Sequence, residues 1–306
     1  MEQQSLLPVA FEATSVFAPR ADAPRLSHAR VGLLRQVDIV DHTGDRRSID
    51  IPVERPLTLF IDKRELVTLM TLGAAPELLA LGYLLNQGLI ADVSAVESVD
   101  VDWEVNAAAI KTHQGANDVA DRTAHRIVTT GCGQGTVFAD TMTEIESVRL
   151  PTAQVARIRQ GTLMHILDQM RARWSVHRHA GSVHGCALYR GSDMLIFTED
   201  VGRHNAIDTI AGWMALHDIA GGDKVFYTTG RLTSEMVMKS AKMGVPIIVS
   251  RNGVTAMGHE LAQRLGMTLF GRAGRRQFLC YSGFERFDAD AGSEAAASEA
   301  QAPPVG

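Results

Sequence analysis

The 306-residue chain is poor in cysteine and in long apolar runs, and each scarcity excludes something. Three cysteines, Cys132, Cys186 and Cys280, are too few and too scattered for a disulfide framework. A reducing cytoplasm is their natural setting, and a cytoplasmic location is expected. No stretch approaches the roughly 18 uninterrupted apolar residues of a membrane span. The most apolar window, residues 78–85, is short enough to be a buried helix. The N-terminus has no basic segment followed by an apolar core, so no secretory leader and no membrane association are expected. Strong charge of one sign is missing too: the net charge of −5 argues against bulk nucleic-acid binding, while leaving room for a local basic patch. There is no closely spaced cysteine pair. A zinc deaminase needs His-x-Glu and a later Pro-Cys-x-x-Cys. The comparable pieces are His184-Gly185-Cys186, without the Glu, and Cys132 to Gly135. Zinc hydrolysis is therefore not expected, although one His and two Cys could meet in space.

What is present is an ordinary globular composition, 45% hydrophobic and 21% charged, in a chain long enough for one large or two ordinary domains. Residues 1–30 mix Pro, Ala, Ser and Arg without a period and read as a loosely ordered arm. Short strands are expected at 37–40, 48–51 and 57–60, with the turn Asp41 to Asp45 making a hairpin. Pro76-Glu77 opens a helix to about Gln87, and strands follow at 98–103 and 107–112. These make a small N-terminal α+β domain over 31–145. From Pro151 a long helical pattern carries Val155, Ile158, Leu163, Ile166, Leu167 and Met170 on one face. After it, strands at 183–189 and 194–197, joined by the hairpin turn Arg190 to Asp193, and strands at 224–229, 246–250 and 267–271 alternate with helices at 204–216, 234–243 and 255–265. Short strands crossed by helices imply a mostly parallel sheet sandwiched between helix layers, over 146–287. The tail, 288–306, has the composition of a disordered segment. The fold class is α/β, α+β overall.

Four stretches could carry chemistry. Thr129 to Thr136 sets Cys132 among three glycines, which suits a thiol presented to a large partner. A turn with a filler cysteine is the alternative. Glu199 to Asp208 packs Asp200, Arg203, His204 and Asn205 into one strand-to-helix turn, where α/β folds keep ligand sites. Asp200 as a simple helix cap is the alternative. Thr228 to Glu235 runs from a strand through Gly230 and Arg231 into a helix start, which suits a phosphate, or is plainly N-capped by Thr233. No Gly-Lys-Ser/Thr follows, so it is not a P-loop. Gly271 to Phe278 holds Arg272, Arg275 and Arg276, whose forks suit bidentate phosphate contacts. A solvated basic turn is the alternative there. Thiolate chemistry beside a large phosphorylated ligand fits the set best.

Several of these residues resemble the formate dehydrogenase accessory sulfurtransferases, the FdhD family. The matching stretches are Glu199 to Asp208, Thr228 to Arg231, Ser234 to Val237 with Lys239, Gly244 to Pro246 and Val249 to Arg251. Weaker matches are Leu78 to Ile90 and Gly181 to His184. The resemblance runs from about Glu54 to Tyr281. It implies a three-layer C-terminal domain similar to cytidine deaminases, without zinc. It further implies transfer of sulfur from a cysteine desulfurase to the molybdenum cofactor of formate dehydrogenase, Mo-bis(molybdopterin guanine dinucleotide). By resemblance Cys132 carries the sulfur as a persulfide. The resemblance also implies a homodimer that holds the cofactor, with the family's cofactor segment falling on Phe270, Gly271, Arg272, Ala273, Gly274, Arg275, Arg276 and Gln277; the loop residues Arg203, His204, Asn205 and Arg231 are expected to join this binding set. Two departures stand out. Gly135 occupies the position of the family's second loop cysteine, and the arginines of 272–277 are shifted from the usual order. The rival expectation is a cofactor-holding chaperone without sulfur chemistry.

Overall fold

The computed structural model describes residues 8–113, 148–275 and 277–289. In chain order the strands are β1 (Phe11–Ala13), β2 (Arg25–Leu26), β3 (Leu34–Val40), β4 (Arg46–Pro52), β5 (Arg55–Ile61), β6 (Arg64–Thr71), β7 (Val96–Asp102), β8 (Ala107–Thr112) and β9 (Ile158–Arg159). Then follow β10 (His184–Arg190), β11 (Asp193–Asp200), β12 (Lys224–Thr228), β13 (Ile247–Ser250), β14 (Thr268–Gly271), β15 (Leu279–Ser282) and β16 (Phe287–Asp288). The α-helices are α1 (Pro76–Asn86), α2 (Gln160–Ala172), α3 (Val176–Ala180), α4 (Arg203–Leu216), α5 (Ser234–Lys242) and α6 (Ala256–Arg264).

The larger sheet has seven strands in the order β1-β11-β10-β12-β13-β14-β15. Its inner strands are buried along nearly their whole length and mainly apolar at their centres, as expected when both faces are covered. One face packs Leu188, Ile196, Phe226, Ile248 and Leu269 against α4, α5 and α6. The other packs Tyr189, Phe197, Tyr227, Val249 and Phe270 against Leu163, Ile166 and Leu167 of α2. The three layers match the expected arrangement, but the sheet is not mostly parallel. Only β12–β13 and β13–β14 are parallel pairs. The tight 190–193 turn makes β10 and β11 an antiparallel hairpin, and β15, which sequence reading missed, returns antiparallel beside β14.

Three further expectations are corrected. The helix expected from Pro151 begins at Gln160: Ile158 is buried in β9, paired with Phe287 of β16, and Val155 is exposed. The N-terminal arm is anchored from residue 8. Strand β1 adds to the edge of β11, and Arg173 ion-pairs with Glu12. β6 was also missed, although it completes the smaller five-stranded sheet, ordered β2-β7-β8-β5-β6.

Helix α1 joins the two halves. It lies between the five-stranded sheet and α4, buried along nearly its whole length, and its hydrophobic core is continuous with that of the larger sheet. The backbones of α1 and α4 touch at glycines. A Cβ on Gly82 would lie 1.7 Å from the Asp208 carbonyl oxygen, and one on Gly212 would lie 2.1 Å from that of Leu78. Close approach, not flexibility, is what requires glycine at both. With α1 on one side and the sheet on the other, α4 is buried all round, so its inward stripe of Ile207, Ile210 and Met214 is only part of its contact surface.

Candidate functional site

Strand directions bring three of the four stretches to one edge of the seven-stranded sheet. β11, β12, β13 and β14 all end there, and β10 starts there, with His184 opposite Asp200. Cys132 and its loop lie outside the described residues, as does Arg276.

The loops after β12, β13 and β14 are stitched through their backbones. Leu232 N donates to Gly253 O (3.0 Å), Arg272 N to Asn252 O (2.8 Å) and Ala273 N to Ser250 O (2.9 Å). Side chains add to this: Ser250 Oγ donates to Gly230 O (2.5 Å), and Asn252 Nδ2 to Thr229 O (3.1 Å). The turn at Gly230 is closed by Gly230 N donating to Thr228 Oγ1 (3.0 Å). A Cβ there would meet the Arg203 side chain at 2.9 Å, so Gly230 lets Arg203 lie against the loop.

Asp200 does more than cap α4. Its carboxylate accepts from Gly202 N (3.0 Å) and Asn205 Nδ2 (2.8 Å), and also from Thr71 Oγ1 (2.5 Å) and Leu72 N (3.1 Å) at the end of β6. Asn205 Nδ2 donates as well to Met70 O (2.7 Å). Both side chains therefore clasp the smaller sheet to the larger one and are committed to that task. Burial pushes the Asp200 carboxyl up to about 6 despite its four donors. Neighbouring Glu199 rises to about 7, again chiefly by burial, against hydrogen bonds from Ser175 and the amides of Val176 and His177.

Arg203, Arg231, His184 and His204 cluster around the start of α5. Burial first, and then the charges of Lys239, Arg203 and Arg231, hold His204 well below the usual imidazole range. His184 is lowered too, by burial and then by Arg203, His177 and Arg231. Beneath them runs a buried charge network. Lys239 Nζ donates to Asp208 Oδ2 (2.7 Å) and Oδ1 (2.9 Å), Asn86 Nδ2 donates to Asp208 Oδ1 (2.7 Å), and Glu235 Oε1 lies 3.9 Å from Lys239 Nζ. His204 Nε2 is 3.3 Å from Glu235 Oε2, but not in hydrogen-bonding geometry.

Sequence reading missed the consequence of this packing. Both ring nitrogens of His204, Oε1 of Glu235 and Oγ1 of Thr233 are buried without a hydrogen-bond partner, all at the start of α5. Thr233 holds the N-cap position but makes no side-chain cap bond, so the plain-cap reading of this stretch does not hold. Buried polar atoms without partners cost about 1–3 kcal/mol each and are uncommon in native proteins. A cluster of them, beside free helix amides and two arginines, marks a place completed by a polar ligand or bound water.

The fourth stretch divides. The Phe270 ring is wholly buried, in edge contact with Phe278 and Phe287, so it serves the core. Gly271 fits against Tyr281 and Asn252, and Ala273 is buried. Arg272, held at φ 50°, Arg275 and Gln277 are exposed, and Gly274 N is bonded to Gln277 O (2.8 Å). Among the described residues no group of three or more His, Cys, Asp or Glu could hold a metal, and no helix is long and apolar enough to cross a membrane.

The two described cysteines are poor nucleophiles. Burial pushes the Cys186 thiol up to about 12, with its Sγ donating to Thr228 Oγ1 (3.2 Å), and the Cys280 thiol up to about 11. The thiolate is the reactive form, so neither is suited to sulfur chemistry near neutrality.

The sequence model of the FdhD/NarQ family matches residues 52–288. The sulfur carrier protein FdhD of Bacillus pumilus (strain SAFR-032) is 27% identical over 239 residues, spanning 78% of this chain and 90% of the relative. That of Listeria monocytogenes (serotype 4b, strain F2365) is 26% identical over 259 residues, spanning 82% and 99%. A crystal structure from Desulfotalea psychrophila, of a protein assigned as a formate dehydrogenase accessory protein, superposes with a TM-score of 0.65 at 23% identity. It covers 83% of this chain and 98% of its own, and shows a shared fold.

Proposed function

The chain belongs to the FdhD/NarQ family, and from that membership we propose that it is a sulfur carrier serving formate dehydrogenase, with Cys132 as the carrying thiol. What supports Cys132 is its place in the loop that resembles the family's cysteine loop, together with the other two thiols: Cys186 is fully buried, Cys280 is half-buried, and burial pushes both up, away from the reactive thiolate. The Cys132 thiolate attacks the sulfane sulfur of a persulfide on a cysteine desulfurase. The donor's S–S bond breaks, the donor leaves as a thiolate, and Cys132 becomes the persulfide with no net oxidation. Delivery to Mo-bis(molybdopterin guanine dinucleotide), which is the substrate and not a resident group, breaks the Cys132 S–S bond and returns Cys132 as the thiolate, the acceptor supplying the two electrons for its new bond to sulfur.

The site fits such a substrate. Pyrophosphate and ribose oxygens find the α5 amides, Arg203 and Arg231, with exposed Arg272 and Arg275 on a neighbouring loop. The unpartnered atoms of Thr233, His204 and Glu235 offer both donors and acceptors. Guanosine diphosphate serves as a probe of the guanosine and pyrophosphate end of one arm of the substrate. Arg231→Ala, at an exposed position, is expected to weaken its binding roughly tenfold or more, the loss of one charge-assisted contact. Unchanged affinity would remove Arg231 from the site.

A cofactor-holding chaperone is the second reading, and Gly135 favours it, because no second thiol stands in the loop to resolve a disulfide. The two readings separate on Cys132→Ala. A carrier loses support of formate dehydrogenase, whereas a chaperone keeps it.

A further inference from the structure

Four elements meet at His184. It opens β10, opposite Asp200 of β11, with its Nδ1 3.5 Å from the hydroxyl of Thr229 in the β12–α5 loop. That hydroxyl is already engaged, accepting from Gly185 N at 3.0 Å. From α3 comes His177, whose Nδ1 is 3.0 Å from the Val183 carbonyl oxygen. From α4 come Arg203 and His204, and from the loop before α5 comes Arg231. The acidic neighbours on β11 are both occupied: Asp200 by its four donors, Glu199 by Ser175 and the amides of α3. Among the described residues His184 is thus half-buried beside Arg203 and Arg231, the carboxylates next to it on β11 are engaged elsewhere, and Glu235 of α5 faces His204 and Lys239.

We propose that His184 is a further anion-binding residue of this site and that it binds as the imidazolium, so that each anion is taken up together with a proton. The proposal rests on reading this sheet edge as an anion site. In the ligand-free protein burial first, and then the repulsion of Arg203, His177 and Arg231, bias His184 towards its neutral form. An anion seated between the arginines cancels that repulsion and adds an attraction of its own, so the imidazole captures a proton and donates to the ligand. Linkage then requires binding to tighten as pH falls, by up to tenfold per pH unit for one proton per anion. The device would let the site hold its ligand more firmly as pH falls.

Sulfate is the probe, because its charge is constant between pH 5.5 and 8. Calorimetric titration of the full chain, in buffers of differing ionisation enthalpy, counts protons taken up on binding. The expected count is between one half and one near neutrality, with affinity rising severalfold to tenfold per unit of acidification. His184→Asn and His184→Gln are expected to bring the count towards zero and flatten the pH dependence, while sulfate still binds. Heats that are identical in all buffers would overturn the proposal. So would a His184 variant with the parental proton count, since the proton would then sit elsewhere. If sulfate binds nowhere in this pH range, and Arg231→Ala leaves guanosine diphosphate binding unchanged, the anion-site reading itself fails.

Discussion

Replacing Gly82 by Ala sets two effects of opposite sign against each other. Intrinsic helix propensity favours Ala over Gly by about 1 kcal/mol in a helix interior, and on that ground alone the variant would be more stable. Packing argues the reverse. The new methyl would sit 1.7 Å from the Asp208 carbonyl oxygen, and contacts below 3.0 Å do not persist, so α1 and α4 must separate by at least 3.0 − 1.7 = 1.3 Å. The clashing atom belongs to the backbone of a helix held on its far side by the seven-stranded sheet, so no side chain can swing aside. A gap of 0.5–1 Å already forfeits a quarter to a half of each dispersion contact, and overpacking typically costs about 1–3 kcal/mol or more. The shift would also stretch the Asn86–Asp208 hydrogen bond of 2.7 Å. After the roughly 1 kcal/mol gained in propensity, the net expectation is a loss of about 1–3 kcal/mol. Urea unfolding followed by circular dichroism should show a lower midpoint at unchanged slope. Gly212→Ala, clashing at 2.1 Å, should lose somewhat less. A Gly82→Ala protein as stable as its parent, or more so, would refute the close-contact account of this helix pair.

Three further outcomes are expected. Lys239→Met leaves Asp208 buried with only Asn86 as partner, and should cost about 3–5 kcal/mol. Adding Asp208→Asn should restore much of that loss in a double-mutant cycle, and strict additivity would speak against the pairing. Glu199 has its folded pKa raised to about 7 from an ordinary 4.5, so the native state holds the extra proton. Its stabilising contribution is full below pH 4.5 and is lost as pH rises through 7, by about 3 kcal/mol at most. Glu199→Gln should flatten thermal stability across that window, leaving the smaller slope due to Asp200, and an unaltered pH dependence would contradict the assignment.

Much of the fold was legible because its elements carry local signals. Pro76 at the head of α1, the 190–193 turn between β10 and β11, and the Gly turns before α5 and after it all mark boundaries that the structure keeps within a residue or two. Parallel pairing is not local, and alternation of strands with helices suggested more of it than β12, β13 and β14 provide. The 151–159 segment misled because Val155 and Ile158 continue the helical spacing of α2, yet Ile158 is drawn into pairing with Phe287, over a hundred residues away. At the site, several side chains have structural contacts that no local pattern announces. Asp200 and Asn205 proved to be a clasp between sheets, because only the fold brings Thr71, Leu72 and Met70 to them. Phe270 went to the core. His184 was quoted as part of a motif, but its place among Arg203, Arg231 and His177 depends on β10 starting where β11 and β12 end.

The central claim, that this chain carries sulfur on Cys132, is tested most directly by intact-protein mass analysis after incubation with a cysteine desulfurase and cysteine. The expected product is one sulfur atom heavier, loses that mass on mild reduction, and does not form with Cys132→Ser. A Cys132→Ser protein that gains the sulfur to the parental level would contradict the account.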